Sequence, residues 1–236
     1  MKRLIADIHT HTLVSGHAYG TIREMAKAAS ERGLEVIGFS EHAPGIPGTV
    51  DPFYYLNLNA IPDELYGVNI INGCEINVLN DGSLSLEERY IERLDYAIAG
   101  IHTLCYKDEG KEKNTLNIIS CMAHPKVKLI SHPDDDHTPL DYQMLVKAAK
   151  TTSTALEVNS SSLRKKQFRI NCEENYRVML KLCEEYEVPI IVSSDAHDPS
   201  QVADFDEAQK LINECGFSEE LILNNDKDKL FRFLFN

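Results

Sequence analysis

The segment LIADIHTH, residues 4–11, joins a short apolar run to two histidines that lie two residues apart. An apolar run that passes into alternating polar residues predicts a β-strand that leaves the core. Because side chains on a strand alternate between its faces, we expect Asp7, His9 and His11 to share one face. Two imidazoles held in this way can bind the same metal ion. The pair alone is a weak signal, so the hypothesis depends on the rest of the chain.

Further apolar runs along the chain repeat this arrangement. The predicted strands after the first lie at residues 36–39, 69–74, 96–101, 127–131, 155–159 and 189–194. Helical patterns separate several of them, at residues 21–29, 86–94, 142–150 and 175–186. This alternation predicts an α/β fold whose parallel strands are covered by helices. Six of the seven strands end in a candidate metal ligand, which favours a closed or nearly closed barrel, because a barrel brings strand ends to one point.

Composition limits the class of protein. A chain of 236 residues with 43% hydrophobic content and no Pro/Gly-rich linker is expected to form one domain, residues 1–236. No apolar stretch approaches the ~20 residues that cross a bilayer, so we expect a soluble, cytoplasmic protein without a membrane partner. The net charge of −13 argues against a nucleic-acid partner, and six scattered cysteines indicate reduced thiols.

Seven of the nine histidines, together with two carboxylates, lie at or just beyond the ends of predicted strands. The predicted metal ligands are His9, His11, His17, His42, Glu75, His102, His132, Asp195 and His197. Nine ligands exceed the needs of one or two ions, whereas three ions that share a bridging carboxylate would use them all. Glu75 is the natural bridge, and Asp7, two residues before His9, is the candidate carboxylate that orients a ligand. Imidazole-rich ligation without thiolates favours zinc, which we expect first, or manganese or iron.

The motifs that carry these ligands resemble those of one known family. D-x-H-x-H, then G-H-A-Y, S-E-H, G-C-E-x-N, G-x-H, S-H-P and S-D-A-H are similar to the motifs of the PHP (polymerase and histidinol phosphatase) family, and most similar to its bacterial YcdX-like phosphatases. The resemblance covers essentially the whole chain. It implies a distorted (βα)7 TIM-like barrel of parallel strands, a trinuclear metal centre and phosphoesterase activity. It also implies one ion held by His9, His11, Glu75 and Asp195, a second by His17, His42 and His197, and a third by Glu75, His102 and His132.

The function expected from these features is hydrolysis of a small phosphomonoester by a metal-bound hydroxide. Glu75 and Asp195 would bridge the ions or position the hydroxide. In the basic run 164–169, Arg164 or Arg169 could contact the phosphate, and we select Arg164. The acidic residues 134–136, with His137, could supply a proton to the leaving group, although a solvent-facing loop is the favoured interpretation.

Three other functions remain open at this stage. An amidohydrolase-type C–N hydrolase would also use H-x-H on the first strand, but it needs fewer histidines. A 3′-5′ exonuclease is disfavoured by the acidic charge. A non-catalytic metal-binding regulatory module would not require all nine ligands. Finally, the apolar segment 230–235 is expected to cover the outer wall of the barrel.

Overall fold

A computed structural model describes residues 2–235, which form a nearly closed barrel of parallel strands surrounded by helices. The strands are β1 Ala6–Thr10, β2 Val36–His42, β3 Glu64–Leu65, β4 Val68–Asn77, β5 Tyr96–Gly100, β6 Val127–Ile130, β7 Ala155–Asn159 and β8 Ile190–Ser193. Seven of them follow the parallel order β1-β2-β4-β5-β6-β7-β8, and the short β3 pairs antiparallel with β4. The seven strands and the α/β class predicted from the sequence are confirmed.

The barrel closes between β8 and β1 through few direct pairings. Thr10 forms a parallel bridge with Ala196, just beyond the end of β8. We call the gap between β1 and β8 the seam. In the seam, the buried Asn224 side chain donates to the carbonyl oxygens of Ala6 and Val192, each at 2.8 Å. Its Oδ1 accepts from the backbone nitrogen of Val192 at 3.1 Å. One asparagine side chain therefore replaces the ladder that a further strand would supply.

The helices are α1 Ile22–Glu31, α2 Glu88–Ile91, α3 Lys111–Met122, α4 Tyr142–Thr152, α5 Ser160–Arg164, α6 Cys172–Tyr186, α7 Asp206–Cys215 and α8 Lys227–Phe235. Short 3₁₀ helices lie at Leu13–Ser15, Pro52–Ala60, Lys166–Phe168, Pro199–Gln201, Glu219–Leu221 and Leu223–Asn225. The predicted helices near residues 21–29, 142–150 and 175–186 are confirmed, and Thr21 and Glu24 form a capping box at the start of α1. The segment 86–94 keeps one helical turn, and α3 and α7 were not predicted. None of the helices within residues 2–235 is long and apolar enough to cross a membrane.

The barrel interior is apolar at the amino-terminal ends of the strands. Ala6, Val36, Ile71 and their neighbours on the other strands pack there into one cluster with Leu230 and Leu234 of α8. The C-terminal segment was predicted to cover the outer wall, and this is wrong: its leucines pack against the inward-facing side chains. Because apolar side chains fill the interior at the amino-terminal ends of the strands, the polar side chains of the interior lie at the carboxyl end of the barrel.

β1 contains an irregularity that changes which side chains point inward. Asp7 pairs with Ile37 and Thr10 with Phe39, so β1 advances by three residues where β2 advances by two. One extra residue in a strand is a β-bulge, and it interrupts the alternation of faces. Ile8 accordingly packs in the interior cluster, and the ring of His9 also points inward. The prediction that Asp7 and His9 lie on the same face of β1 is therefore wrong.

Candidate metal centre

The structure brings all nine predicted ligands together at the carboxyl end of the barrel. Glu75, at zero exposure on β4, occupies the middle. Its Oε2 lies 3.4 Å from Nε2 of His9 and 2.9 Å from Nδ1 of His42. Its Oε1 lies 3.3 Å from Nε2 of His102 and 2.9 Å from Nε2 of His132. One carboxylate thus faces ligands from four different strands or the loops that follow them.

The remaining ligands surround Asp195. Its Oδ1 lies 3.3 Å from Nε2 of His11 and 3.5 Å from Nδ1 of His197. His17, from the loop after β1, places Nε2 3.2 Å from Nε2 of His197 at the outer edge of the cluster. Asp195 and His132 both have positive φ, at 53° and 29°. Non-glycine residues with positive φ are uncommon, and such strain is concentrated at functional sites.

Several atoms of this cluster are buried and, although some lie within 3.5 Å of another polar atom, make no hydrogen bond of acceptable geometry among the described residues. They are Nε2 of His9, His11 and His102, Nδ1 of His42, and Oε2 of Glu75. A buried polar atom without a partner is costly, and its presence indicates an ion or water that completes the site. Three groups bring their ligand atoms within 4.8 Å of one another: His9, His11 and Asp195; His11, His42 and His197; and His42, Glu75 and His102. The donor set therefore fits divalent metal ions.

The ionisation of His11 and Glu75 suits metal binding, whereas His9 differs: burial opposes its protonation, but Glu157 and Glu75 hold its pKa well above its usual value. Burial, together with the neighbouring imidazoles of His42 and His197, holds the pKa of His11 well below its usual value. Burial opposes the ionisation of Glu75, but His102, His9 and His42 hold the pKa of that carboxyl well below its usual range. Neutral imidazoles and ionised carboxylates are the forms that bind metal.

A buried carboxylate on β7 that the sequence pattern did not predict as part of the site orients one of the proposed ligands directly. Glu157 Oε1 accepts from Nδ1 of His9 at 2.6 Å. The signal that could have revealed Glu157 is a charged residue flanked by apolar residues in the middle of a fully buried strand. Asp7, which was predicted for this role, makes no hydrogen bond to a histidine among residues 2–235: it accepts hydrogen bonds from Ser194 and from the backbone of Ala203. Burial raises the pKa of Asp7 to about 6.

Two further proposed ligands also have hydrogen-bond partners that orient their rings. His102 has a neutral partner, and His11 contacts a serine that is itself bonded to a carboxylate. Asn77, two residues after Glu75 on β4, accepts from Nδ1 of His102 at 2.8 Å. Ser15 Oγ donates to Oε2 of Glu41 at 2.6 Å and lies 3.0 Å from Nδ1 of His11. Because the single Ser15 hydroxyl hydrogen goes to Glu41, His11 must donate from Nδ1, which leaves its Nε2 free to bind a metal.

A cavity of about 240 Å³ opens beside His42, His102 and His132. Arg169 lines it, and Nη1 of Arg169 lies 2.8 Å from Oδ1 of Asp134. Arg164, which we had selected for the phosphate, does not line the cavity: its Nη1 binds Asp204 at 3.0 Å. Asp134 is fully buried, which differs from the expected solvent-facing loop, whereas the side chain of His137 is half exposed.

Comparisons of the sequence with a family model and with known proteins agree with each other. A model of the PHP domain matches residues 7–216. The chain is 38% identical over 233 residues to a probable phosphatase of Clostridium novyi, covering 98% of this chain and 95% of the relative. It is 37% identical over 229 residues to a probable phosphatase of Syntrophotalea carbinolica, covering 97% and 95% of the two chains.

Two solved structures share the fold at low identity. One is a histidinol phosphate phosphatase from Lactococcus lactis, solved with zinc, L-histidinol and phosphate, with a TM-score of 0.63, 18% identity and coverage of 90% of this chain and 94% of that chain. The other is a chain of an archaeal ribonuclease P complex with mature tRNA, with a TM-score of 0.64, 16% identity and coverage of 97% and 89%. At these identities the likeness concerns the fold alone.

Proposed function

The chain belongs to the PHP domain family and is a phosphatase of that family, and we propose that it hydrolyses a small phosphomonoester at a centre of three divalent ions. The observation that carries this proposal is the set of unpartnered, buried imidazole and carboxylate atoms around Glu75, next to an open cavity. Divalent ions bound there would lower the pKa of a bound water and neutralise the oxygens of a phosphate. Zinc is the ion we propose first, and manganese and iron are the alternatives.

The proposed ligands divide among three positions. Glu75 would bridge two of them, because its two oxygens face different histidines. The first position would use His9, His11, Glu75 and Asp195, the second His17, His42 and His197, and the third Glu75, His102 and His132. Support for the first position comes from the close approach of His9, His11 and Asp195. Asp195 also accepts from Asn159 at 3.3 Å, which fixes its carboxylate at the edge of the site.

We propose Arg169, rather than Arg164, as the residue that contacts the phosphate. Among the described residues, Asp134 is the one hydrogen-bond partner of the Arg169 guanidinium, and Asp134 binds it through Nη1 alone. The other guanidinium donors can therefore bind phosphate oxygens. Arg164 is held by the carboxylate of Asp204 and the carbonyl of Ser194, outside the cavity.

The test is to reconstitute the protein with zinc or manganese and assay a phosphomonoester, a phosphodiester and an amide under the same conditions. We expect a kcat/KM for the monoester at least about 100-fold above the others, and three metal ions per chain by elemental analysis. His102→Ala should lower both activity and metal content. His124→Ala is the matched control, because His124 binds Glu88 away from the centre. Preferential cleavage of the diester or amide would contradict the proposed reaction.

A further inference from the structure

Three consecutive aspartates follow the proposed ligand His132 in the chain, and each of them bonds to the segment that carries Arg169. The three pairs run in register along the two segments: Asp134 accepts from Arg169 at 2.8 Å, Asp135 from the backbone nitrogen of Ile170 at 3.0 Å, and Asp136 from the side chain of Asn171 at 2.7 Å. We call these three contacts the aspartate clamp. The clamp joins the loop after β6 to the segment after α5.

The backbone and α6 reinforce the clamp. The backbone nitrogen of Asp136 donates to the carbonyl oxygen of Ile170 at 3.1 Å. Asn175, on α6, donates from Nδ2 to the carbonyl oxygen of Asp134 at 2.9 Å and to Oδ1 of Asp136 at 2.8 Å. Asn175 therefore bonds to the aspartate loop at two points, although it does not line the cavity.

The clamp fixes Arg169 more firmly than its own side-chain contact can. Asp134 binds the guanidinium through Nη1 alone, and Oδ2 of Asp134, although buried, makes no hydrogen bond of acceptable geometry among the described residues. One hydrogen bond lacks the geometric specificity of a two-point contact between arginine and a carboxylate. Asp135 and Asp136 both bond to the backbone of Ile170, the residue after Arg169, so they fix the position from which the Arg169 side chain extends.

We propose that Asp136 and Asn175 are positioning residues, which act through the aspartate clamp to hold Arg169 at the cavity with its remaining donors directed to a phosphate. This inference rests on the proposed function, because it takes Arg169 to contact the phosphate. The hydrogen bonds of Asp136 and Asn175 described above go to none of the nine proposed metal ligands. Phosphate affinity should therefore depend on the clamp, and metal content should not.

Asn175→Ala tests the clamp while leaving Arg169 and the three aspartates in place. Asn175 is partly buried on α6, and alanine is well suited to a helix. Asn213→Ala is the matched control, because it makes the same change on α7, at an exposed side chain that forms no hydrogen bond within residues 2–235. Asp136→Ala removes the contact with Asn175 from its other side.

The experiment measures hydrolysis of p-nitrophenyl phosphate by the zinc-loaded protein, binding of inorganic phosphate by calorimetry, and zinc content. Asn175→Ala should raise KM and weaken phosphate binding by about fivefold each, the equivalent of roughly one hydrogen bond, with kcat nearly unchanged. The double variant with Asp136→Ala should be within about twofold of Asp136→Ala alone, because both substitutions remove the same contact. Asn213→Ala should leave KM unchanged, and all variants should retain their zinc.

The outcomes distinguish the clamp from the proposed function. An unchanged KM in Asn175→Ala and Asp136→Ala, additive effects in the double variant, or a loss of zinc in place of the rise in KM would overturn the clamp and leave the phosphatase activity established. Failure to hydrolyse the monoester, with phosphate binding weakened by Asn175→Ala and not by Asn213→Ala, would overturn the proposed function and leave the clamp intact. Absence of phosphate binding to the unmodified protein would overturn both.

Discussion

Glu157 Oε1 lies 2.6 Å from Nδ1 of His9, and both side chains have zero exposure. The other oxygen of Glu157 accepts from the backbone nitrogen of His132 at 2.6 Å. One carboxylate on β7 therefore orients the ring of a proposed ligand on β1 and the backbone of a proposed ligand that follows β6. Because the carboxylate receives the Nδ1 hydrogen, Nε2 is the nitrogen through which His9 would bind a metal beside Glu75.

We predict that Glu157→Gln lowers the affinity for zinc by about 10- to 100-fold, because a partner that raises the basicity of His9 and fixes its orientation is lost. Competition between the protein and a chromophoric chelator measures this affinity directly. Asp7→Asn is the control, since Asp7 is an equally buried carboxylate whose hydrogen bonds come from Ser194 and Ala203 and not from a proposed ligand. An equal loss of affinity in both variants would show that burial of charge, and not the contact with His9, sets the affinity.

The relay from Glu41 through Ser15 to His11 leads to a second prediction. Ser15→Ala removes the acceptor for Nδ1 of His11 and for the backbone nitrogen of His42, at 3.0 Å each. We expect roughly tenfold weaker zinc binding, with the metal-free protein destabilised by about 1–3 kcal/mol. Zinc titration and urea unfolding of the metal-free protein measure the two effects. Ser30→Ala, which removes a hydroxyl bonded to Tyr66 far from the centre, should change neither zinc binding nor the pKa of any ligand.

The convergence of the nine proposed ligands at one end of the barrel could be predicted from the sequence because it depends on one simple rule. In a parallel barrel every strand ends at the same face, so polar residues that follow apolar runs must converge there. That rule needs no atomic detail, and His102 and His132 obey it although thirty positions separate them in the chain. The parallel barrel itself follows from the same alternation of strands and helices.

The orienting residues could not be predicted in the same way. The choice of Asp7 assumed regular alternation along β1, and the bulge between Asp7 and Thr10 breaks that alternation. The residue types of β1 do not indicate an extra residue, because the bulge arises from the pairing of β1 with β2. Arg164 and Arg169 likewise lie five positions apart in one basic segment, and the difference between them is whether Asp204 or Asp134 binds the guanidinium.

Kinetic measurements should distinguish the roles of Arg164 and Arg169. Arg169→Lys keeps the charge beside the buried Asp134 but removes the planar donor set, so we predict a rise in KM of about tenfold for a phosphomonoester. Arg164→Lys should leave KM unchanged and lower the free energy of unfolding by no more than about 1 kcal/mol, because its partner Asp204 is partly exposed. Steady-state kinetics and urea unfolding test both variants. A larger effect on KM at Arg164 would restore the assignment drawn from the sequence.

Asn224 provides a prediction about the barrel itself. Its side chain makes three hydrogen bonds across the seam, two to Val192 and one to Ala6, and it is fully buried. Asn224→Ala would leave a buried backbone N–H and two carbonyls with fewer partners, and we expect a loss of roughly 3 kcal/mol in the free energy of unfolding, measured in urea without metal.

Asn225→Ala is the matched control for this seam. Asn225 is the adjacent asparagine, and its side chain donates one hydrogen bond, to the carbonyl of Glu219 at 2.7 Å, so its replacement should cost about 1 kcal/mol. Since β8 leads directly into Asp195, loosening of the seam should also weaken zinc binding in Asn224→Ala but not in Asn225→Ala. If the two variants unfold at the same urea concentration, the seam is stabilised by the packing of β8 against β1 and not by the Asn224 side chain.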